Sequence, residues 1–164
     1  MKEEDDFVDI EELPIFKKGQ EIVDLVVYIG ELIPEDDESL QFIKGYMISD
    51  ASMLTIKVIG AHHAPFYDIK MEAACLIRKA ARDLEIHYNA LKMFEFEDYE
   101  YFNIVIELIE EYRLLFIDWI ADFDPDSYHV DRWGLFNPPG VSPFDHDPDD
   151  DIPFDPEDEF PFDL

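Results

Sequence analysis

The sequence predicts an all-α protein: an antiparallel up-down-up-down four-helix bundle followed by an acidic, Pro-rich irregular C-terminal tail. Four segments between Lys17 and Ala121 repeat apolar residues at three- and four-residue spacing, the signature of helices with one buried face. Their connections are short, which makes antiparallel neighbours the economical arrangement. Eight of the eleven prolines follow Asp122, where they forbid long helices and disfavour a central strand. The expected division is an acidic N-terminal arm over residues 1–16, the bundle over 17–121, and an acidic Pro/Phe/Asp-rich tail over 122–164.

The first helix is expected over about Lys18 to Ile33, with Ile22, Leu25, Val26, Ile29, Leu32 and Ile33 on one stripe and Pro34 ending it. Asp36, Asp37 and Glu38 place negative charge where the unpaired amides of a second helix favour it. That helix runs from about Ser39 to Ala61 on Leu40, Ile43, Met47, Ala51, Leu54, Val58 and Ala61. Phe42, Tyr46, Met53 and Ile56 form a second apolar side, which points to a helix covered on more than one face and so to an oligomer. Gly60 to Pro65 reads as a turn, with Pro65 suited to the first turn of a third helix over about Phe66 to Phe94. Its stripe is Ile69, Ala73, Leu76, Ile77, Ala80, Leu84, Tyr88 and Leu91. An acidic connection, Glu95 to Asp98, offers Asp98 as cap for a fourth helix, about Tyr99 to Ala121. There Tyr101, Ile104, Val105, Leu108, Ile109, Tyr112, Leu115, Phe116, Trp119 and Ile120 mark the buried side.

The 164 residues are 48% hydrophobic and 15% aromatic, enough for one domain with a sizeable core. The formal charge is −29, which opposes nonspecific binding to phosphate backbones or anionic lipid. That charge is uneven: Ala51 to Glu95 holds Lys57, Lys70, Arg78, Lys79, Arg82 and Lys92 against only five acids. The single cysteine, Cys75, excludes an intramolecular disulfide and reads as a small core residue in a reduced compartment. The N-terminus lacks a signal-peptide pattern and no apolar run is long enough for a membrane span, so the expected location is cytoplasmic with no membrane partner.

Chemistry is sparse. No glycine-rich phosphate loop, Gly-x-Ser-x-Gly elbow, Cys–His dyad or Cys-x-x-Cys is present, so the expectation is no enzyme. His62, His63 and His87 come without a Glu-x-x-His pair and read as surface or helix-end residues, with no metal and no cofactor. Asp145 to Asp151 alternates acids as a calcium loop does, but Asp150 stands where glycine is needed and Pro156 where glutamate is needed. Asp50 and Lys57 lie near one stripe and Glu72 and Arg78 interrupt another, as interhelical ion pairs or as side chains snorkelling at its edge. Arg78, Lys79 and Arg82 fall on roughly one side of the third helix, either as a grip for phosphates or an acidic partner or as a solvated face diluted by Asp83 and Glu85.

The tail repeats a tripeptide: Pro143-Phe144-Asp145, Pro153-Phe154-Asp155 and Pro161-Phe162-Asp163. Each phenylalanine could anchor in a pocket while the acid meets a cationic rim, and tethering would raise the effective concentration. The bland alternative is a solubilising tail. A third is that Phe and Asp fold back on the basic stretch of the third helix.

From Ile33-Pro34, through Ala73-Ala74-Cys75-Leu76-Ile77-Arg78-Lys79-Ala80-Ala81-Arg82-Asp83-Leu84, to a tyrosine-led last helix carrying Glu110, Arg113 and Trp119-Ile120, the chain resembles the Avd-like four-helix-bundle family. These are the accessory variability determinants of diversity-generating retroelements; the bundle proteins of rRNA intervening sequences are a more distant likeness. The first helix extends the resemblance to about two thirds of the chain. It implies a non-enzymatic homo-oligomer, a pentamer, working with a reverse transcriptase and its RNA, and by that similarity Arg78 and Arg82 carry over as binding positions. The chain departs from the family in being acidic and in carrying the Pro-Phe-Asp tail. The resulting expectation is an oligomeric accessory protein that positions a partner, a reverse transcriptase or its RNA complex, with RNA reached through the partner. The alternatives are an adaptor docking through the tail repeats, or an acidic nucleic-acid mimic.

Overall fold

Helix α1 (Pro14–Glu31) starts four residues ahead of the expected Lys18, because a proline at the first helical position has no amide of its own to leave unpaired and already has a helical φ. A 3-10 turn over Ile10–Glu12 precedes it, capped by the Asp9 carboxylate, which accepts the Glu11 amide at 3.1 Å. The boundary drawn at residue 16 is therefore too late, and Ile15 is already buried in the core. The computed structural model describes residues 9–151, and these are all-helical in their regular structure, with four α-helices and no strand.

Helix α2 (Glu38–His63) is capped by Asp37, whose carboxylate accepts the Leu40 amide at 3.0 Å. The acids before it thus serve the unpaired amides as expected. Helix α3 (Tyr67–Met93) follows a three-residue connection, and α4 (Phe102–Ala121) is entered through a 3-10 turn over Tyr99–Tyr101. Asp98 does not cap with its side chain. Its backbone carbonyl accepts the Tyr101 amide at 3.1 Å instead, the tighter spacing of a 3-10 turn doing what the carboxylate was expected to do.

The end of α3 is a Schellman motif: the Phe96 amide donates to the Leu91 carbonyl at 3.0 Å and the Glu95 amide to the Lys92 carbonyl at 3.2 Å. Phe96 and Leu91, the two apolar residues that such a motif brings together, are both buried. Glu95 occupies the left-handed position with φ 58°, a conformation that crowds Cβ against the backbone. Glu95→Gly relieves that crowding and is expected to raise stability by about 0.5–1 kcal/mol, less than the full strain because glycine loses more freedom on folding. A thermal melt unchanged or lowered would show that Glu95 is not strained.

Helix α1 packs against α2 and α4, α2 against α3, and α3 against α4. The core between them holds Ile22, Val26 and Ile29, then Met47, Leu54 and Val58, then Ile77, Leu84 and Leu91, then Phe102, Val105 and Tyr112. Several residues placed on buried stripes face out: Leu32, Ile69, Leu76, Tyr101 and Ile104 are all exposed, whereas Phe102 and Ala74 are buried without having been expected there. Cys75 is likewise exposed, because Ala73, Ala74 and Ile77 take the inward arc of that turn. The second apolar side of α2 is real as a surface: Phe42, Tyr46 and Ile56 are exposed and Met53 is half-buried. No helix among the described residues is long and apolar enough to cross a membrane.

Beyond Ala121 the chain turns back on the helices. Phe123 and Val130 are buried, the Tyr67 amide donates to the Ser127 carbonyl at 2.7 Å, and the Ser127 hydroxyl donates to the Pro65 carbonyl at 3.0 Å. The His129 amide donates to Asp68 at 3.0 Å and the Val130 amide to Asp147 at 2.8 Å. The first half of the expected tail is thus an irregular but folded segment seated on the start of α3, with its backbone groups paired by side chains where helix and sheet ladders are missing.

Candidate functional site

Among the four neighbouring helix pairs, α3 and α4 make the loosest contact, and a groove of about 350 Å³ runs between them. Its walls are apolar: Ile77 and Ala81 from α3, and Ile109, Tyr112, Phe116 and Ile117 from α4. The rim carries Arg78, Arg82 and Glu85 on one side and Arg113 on the other. Spacing explains this, since residues four apart on a helix share a face: Ile77 with Ala81 and Arg78 with Arg82 on α3, and Ile109, Arg113 and Ile117 on α4.

The three arginines are not equivalent. Arg113 donates from Nε to both carboxylate oxygens of Glu110, at 2.6 and 2.8 Å, and this hydrogen-bonded guanidinium holds Glu110 below the usual carboxylate range. Among the described residues neither Arg78 nor Arg82 makes an ion pair, and both are exposed. Two planar, permanently charged donors beside an apolar wall suit a ligand with carboxylate or phosphate next to aromatic or aliphatic surface.

Lys79 does not join them. Its ammonium is paired with Asp83 one turn on, which raises the Lys79 pKa through that hydrogen bond, with Asp50 of α2 adding to the effect. The expected trio is therefore two arginines on the groove and one lysine committed elsewhere, because a step of one residue turns a side chain by about 100° around the helix. Between α2 and α3, Asp50 and His87 meet at 2.8 Å with Tyr46 stacked beside the imidazole. His87 is thus a partner across α2 and α3 and not a surface histidine, and the acid that meets it is one that the spacing placed near the stripe.

The tail residues divide. Phe144 is 92% exposed on a turn in which the Asp145 carboxylate accepts the Ser142 amide at 2.8 Å, and Arg132 donates to the carbonyls of Pro143 and Asp145 at 3.1 and 2.7 Å. Phe154, Asp155, Phe162 and Asp163 lie outside the described residues. The Asp147 carboxylate, inside the stretch with calcium-like alternation, accepts the Val130 amide.

Neighbouring this turn is a loop that the sequence reading missed. The Asp131 carboxylate accepts the amides of Phe136, Trp133 and Leu135 at 2.9, 2.9 and 2.8 Å, and those bonds, the Phe136 one first, hold it below the usual carboxylate range. Gly134 takes the φ of +70° that the loop needs. The result holds Trp133, 89% exposed, and Leu135 out in solvent. Asp131→Ala removes the common acceptor, so a chymotryptic cut after Trp133 is expected to be roughly ten times faster than in the parent, by local opening. Equal cleavage rates would show that Asp131 does not order the loop. The Asp-x-x-Gly spacing was the available signal for it.

A wider cleft of about 590 Å³ opens between the 3-10 turn and the end of α2, lined by Asp9, Glu11, His62 and His63 among others. Among the described residues no group of three or more metal-ligating side chains comes together there or elsewhere. The α3–α4 groove, with its apolar walls and unpaired arginines, is the stronger candidate. The chain matches no protein-family model, no curated protein and no solved structure.

Proposed function

We propose that this chain is a non-catalytic, self-associating accessory protein that binds and positions a partner through the α3–α4 groove. The observation that carries the reading is the presence of two arginines without ion-pair partners beside an apolar groove, in a chain whose formal charge is −29. In a chain so acidic, two unpaired guanidiniums one turn apart beside an apolar groove concentrate attraction there and steer an anionic or acidic-aromatic partner to it. The partner class comes from the Avd-like resemblance: a reverse transcriptase or its RNA complex, with RNA reached through the protein.

The architecture assigned to it is an antiparallel up-down-up-down bundle. In support, Gly19 of α1 lies beside Leu54 and Thr55 of α2 while Gly30, further along α1, lies beside Lys44 and Ile48, earlier on α2. Helices α2 and α3 are joined by only three residues, yet Asp50 meets His87 well back along both. Self-association draws on the exposed α2 stripe of Phe42, Tyr46 and Ile56.

The test is the full chain carrying Arg78→Glu and Arg82→Glu, tagged in its native cell, with bound proteins and RNA identified beside the parent. Both positions are exposed, so helix content should be unchanged while reverse transcriptase and its RNA disappear from the capture. Undiminished capture by the variant would remove the groove from the reading.

A second reading is favoured by Phe144: an aromatic side chain held out in solvent by a hydrogen-bonded turn is a ready anchor for a partner pocket. In that case the chain is an adaptor, and alanine at Phe144, Phe154 and Phe162 loses the partner while the arginine variant retains it.

A further inference from the structure

The chain itself contains a segment whose chemistry matches the groove. Residues 152–164, outside the described ones, read Ile-Pro-Phe-Asp-Pro-Glu-Asp-Glu-Phe-Pro-Phe-Asp-Leu: five acids, no base, and three phenylalanines set among three prolines. The groove offers the complement, an apolar wall including Ile77, Ile109 and Phe116 with Arg78 and Arg82 on the rim. With 41 acids against 12 bases in the chain, most of the surface repels such a segment. The prolines restrict the backbone before binding, which lowers the ordering cost of laying an extended strand of aromatic anchors into a groove.

Chain length permits the contact. The folded segment is seated on the start of α3 through Ser127 and His129, and Asp147, four residues before its end at Asp151, accepts the amide of the adjoining Val130. Arg78 and Arg82 lie eleven and fifteen residues beyond Tyr67, about 16 and 22 Å along the helix at 1.5 Å per residue. Thirteen extended residues span up to about 45 Å. A tether this short gives an effective concentration in the millimolar range, so a segment that binds in trans with a dissociation constant of about 100 μM would fill its own groove about nine-tenths of the time.

We propose that the α3–α4 groove is an acceptor for acidic, phenylalanine-bearing peptide, and that residues 152–164 of the same chain occupy it, so that a partner binds by displacing them. This rests on the groove being the protein's binding surface. It goes further in naming what the surface accepts and how access is controlled.

The test uses a fluorescent synthetic peptide of residues 152–164, titrated by anisotropy against three full-length proteins: the parent, the variant with alanine at Phe154, Phe160 and Phe162, and that variant with Arg78→Glu and Arg82→Glu added. The phenylalanine variant is expected to bind the peptide about ten-fold more tightly than the parent, because its groove is vacant. The charge-reversed form should lose at least ten-fold of that gain. Equal affinity for the parent and the phenylalanine variant overturns the proposal, as does binding that survives charge reversal or no binding to any form. If the titration fails while native capture still needs Arg78 and Arg82, only this inference falls; if it succeeds while capture ignores them, only the partner assignment falls.

Discussion

Tyr112→Ala is expected to destabilise the protein by about 3–5 kcal/mol, and Tyr112→Phe by about 1 kcal/mol. The ring is 2% exposed and touches three helices' worth of surroundings: it belongs to α4, lines the α3 groove, and donates its hydroxyl to the Leu54 carbonyl of α2 at 2.8 Å. Alanine leaves a cavity that helices already packed on both sides cannot fill. Phenylalanine removes one hydrogen bond from a carbonyl that keeps its helical partner.

The same residue sets an alkaline limit. Burial pushes the Tyr112 phenol far above its ordinary value near 10, because the phenolate would have to form away from water. A folded-state value raised above the unfolded one means stability fully present below pH 10 and lost as pH rises toward the folded value, since the unfolded chain gives up its proton first. That loss approaches about 1.4 kcal/mol per pH unit. Urea melts of the parent at pH 9 and pH 11 should therefore differ by more than those of Tyr112→Phe. An identical alkaline drop in the two proteins would mean that the hydroxyl titrates as freely in the fold as out of it. Lys18, whose ammonium is raised by its hydrogen bond to Glu111 and then by Glu21, loses its contribution in the neighbouring range, but equally in both proteins.

Gly19→Val is expected to cost about 1–3 kcal/mol by overpacking. A Cβ at Gly19 would lie 3.0 Å from the Thr55 methyl, 3.2 Å from the Leu54 carbonyl oxygen and 3.3 Å from the Tyr112 ring. The Leu54 contact is with backbone and cannot turn aside, and that oxygen is the one that accepts from Tyr112. A larger side chain therefore pushes α1 off α2 and α4 together. Gly45→Ala is the control: nothing lies within 4 Å of its Cβ position, and alanine there should add about 0.5–1 kcal/mol by reducing the freedom of the unfolded chain. Similar denaturation midpoints for Gly19→Val and the parent would show that the three-helix junction can open at little expense.

Helix existence was legible because it is written locally. Asp37 before Leu40, Pro34 after Ile33 and the three- and four-residue recurrence of Ile22, Val26 and Ile29 each act within one or two turns of chain. Rotation about each helix axis was less legible. Around α4 and the 3-10 turn that leads into it, apolar residues occupy so much of the circumference that Tyr101 and Ile104 fit a buried stripe as well as Phe102 and Val105 do, yet only the second pair is buried. Cys75 was misplaced for the same reason, one step around the helix from Ala74.

Half of the candidate site could be read from sequence. Arg78 and Arg82 stand four apart and so share a face whatever surrounds them. Arg113 and Phe116, thirty and more residues away, complete the groove only because α4 lies beside α3, whereas Lys79 is turned away by the helix itself and pairs with Asp83 one turn on. The folded segment after Asp122 was opaque for a related reason. Asp131, Asp147 and Ser127 pair with backbone that no periodicity marks, in one case sixty-two residues distant.

What the sequence determined by itself is therefore the all-helical class, the four helices and most of their ends, and the acidic field in which two arginines stand out. Periodicity, capping and charge all act over a turn or two of helix, which is the range a linear reading spans. The tertiary structure decided which arc of each helix is buried, where α3 and α4 part to leave a groove, and how the Pro-rich segment is tied down. Those outcomes depend on contacts between residues far apart in the chain, chosen by the packing of all four helices at once.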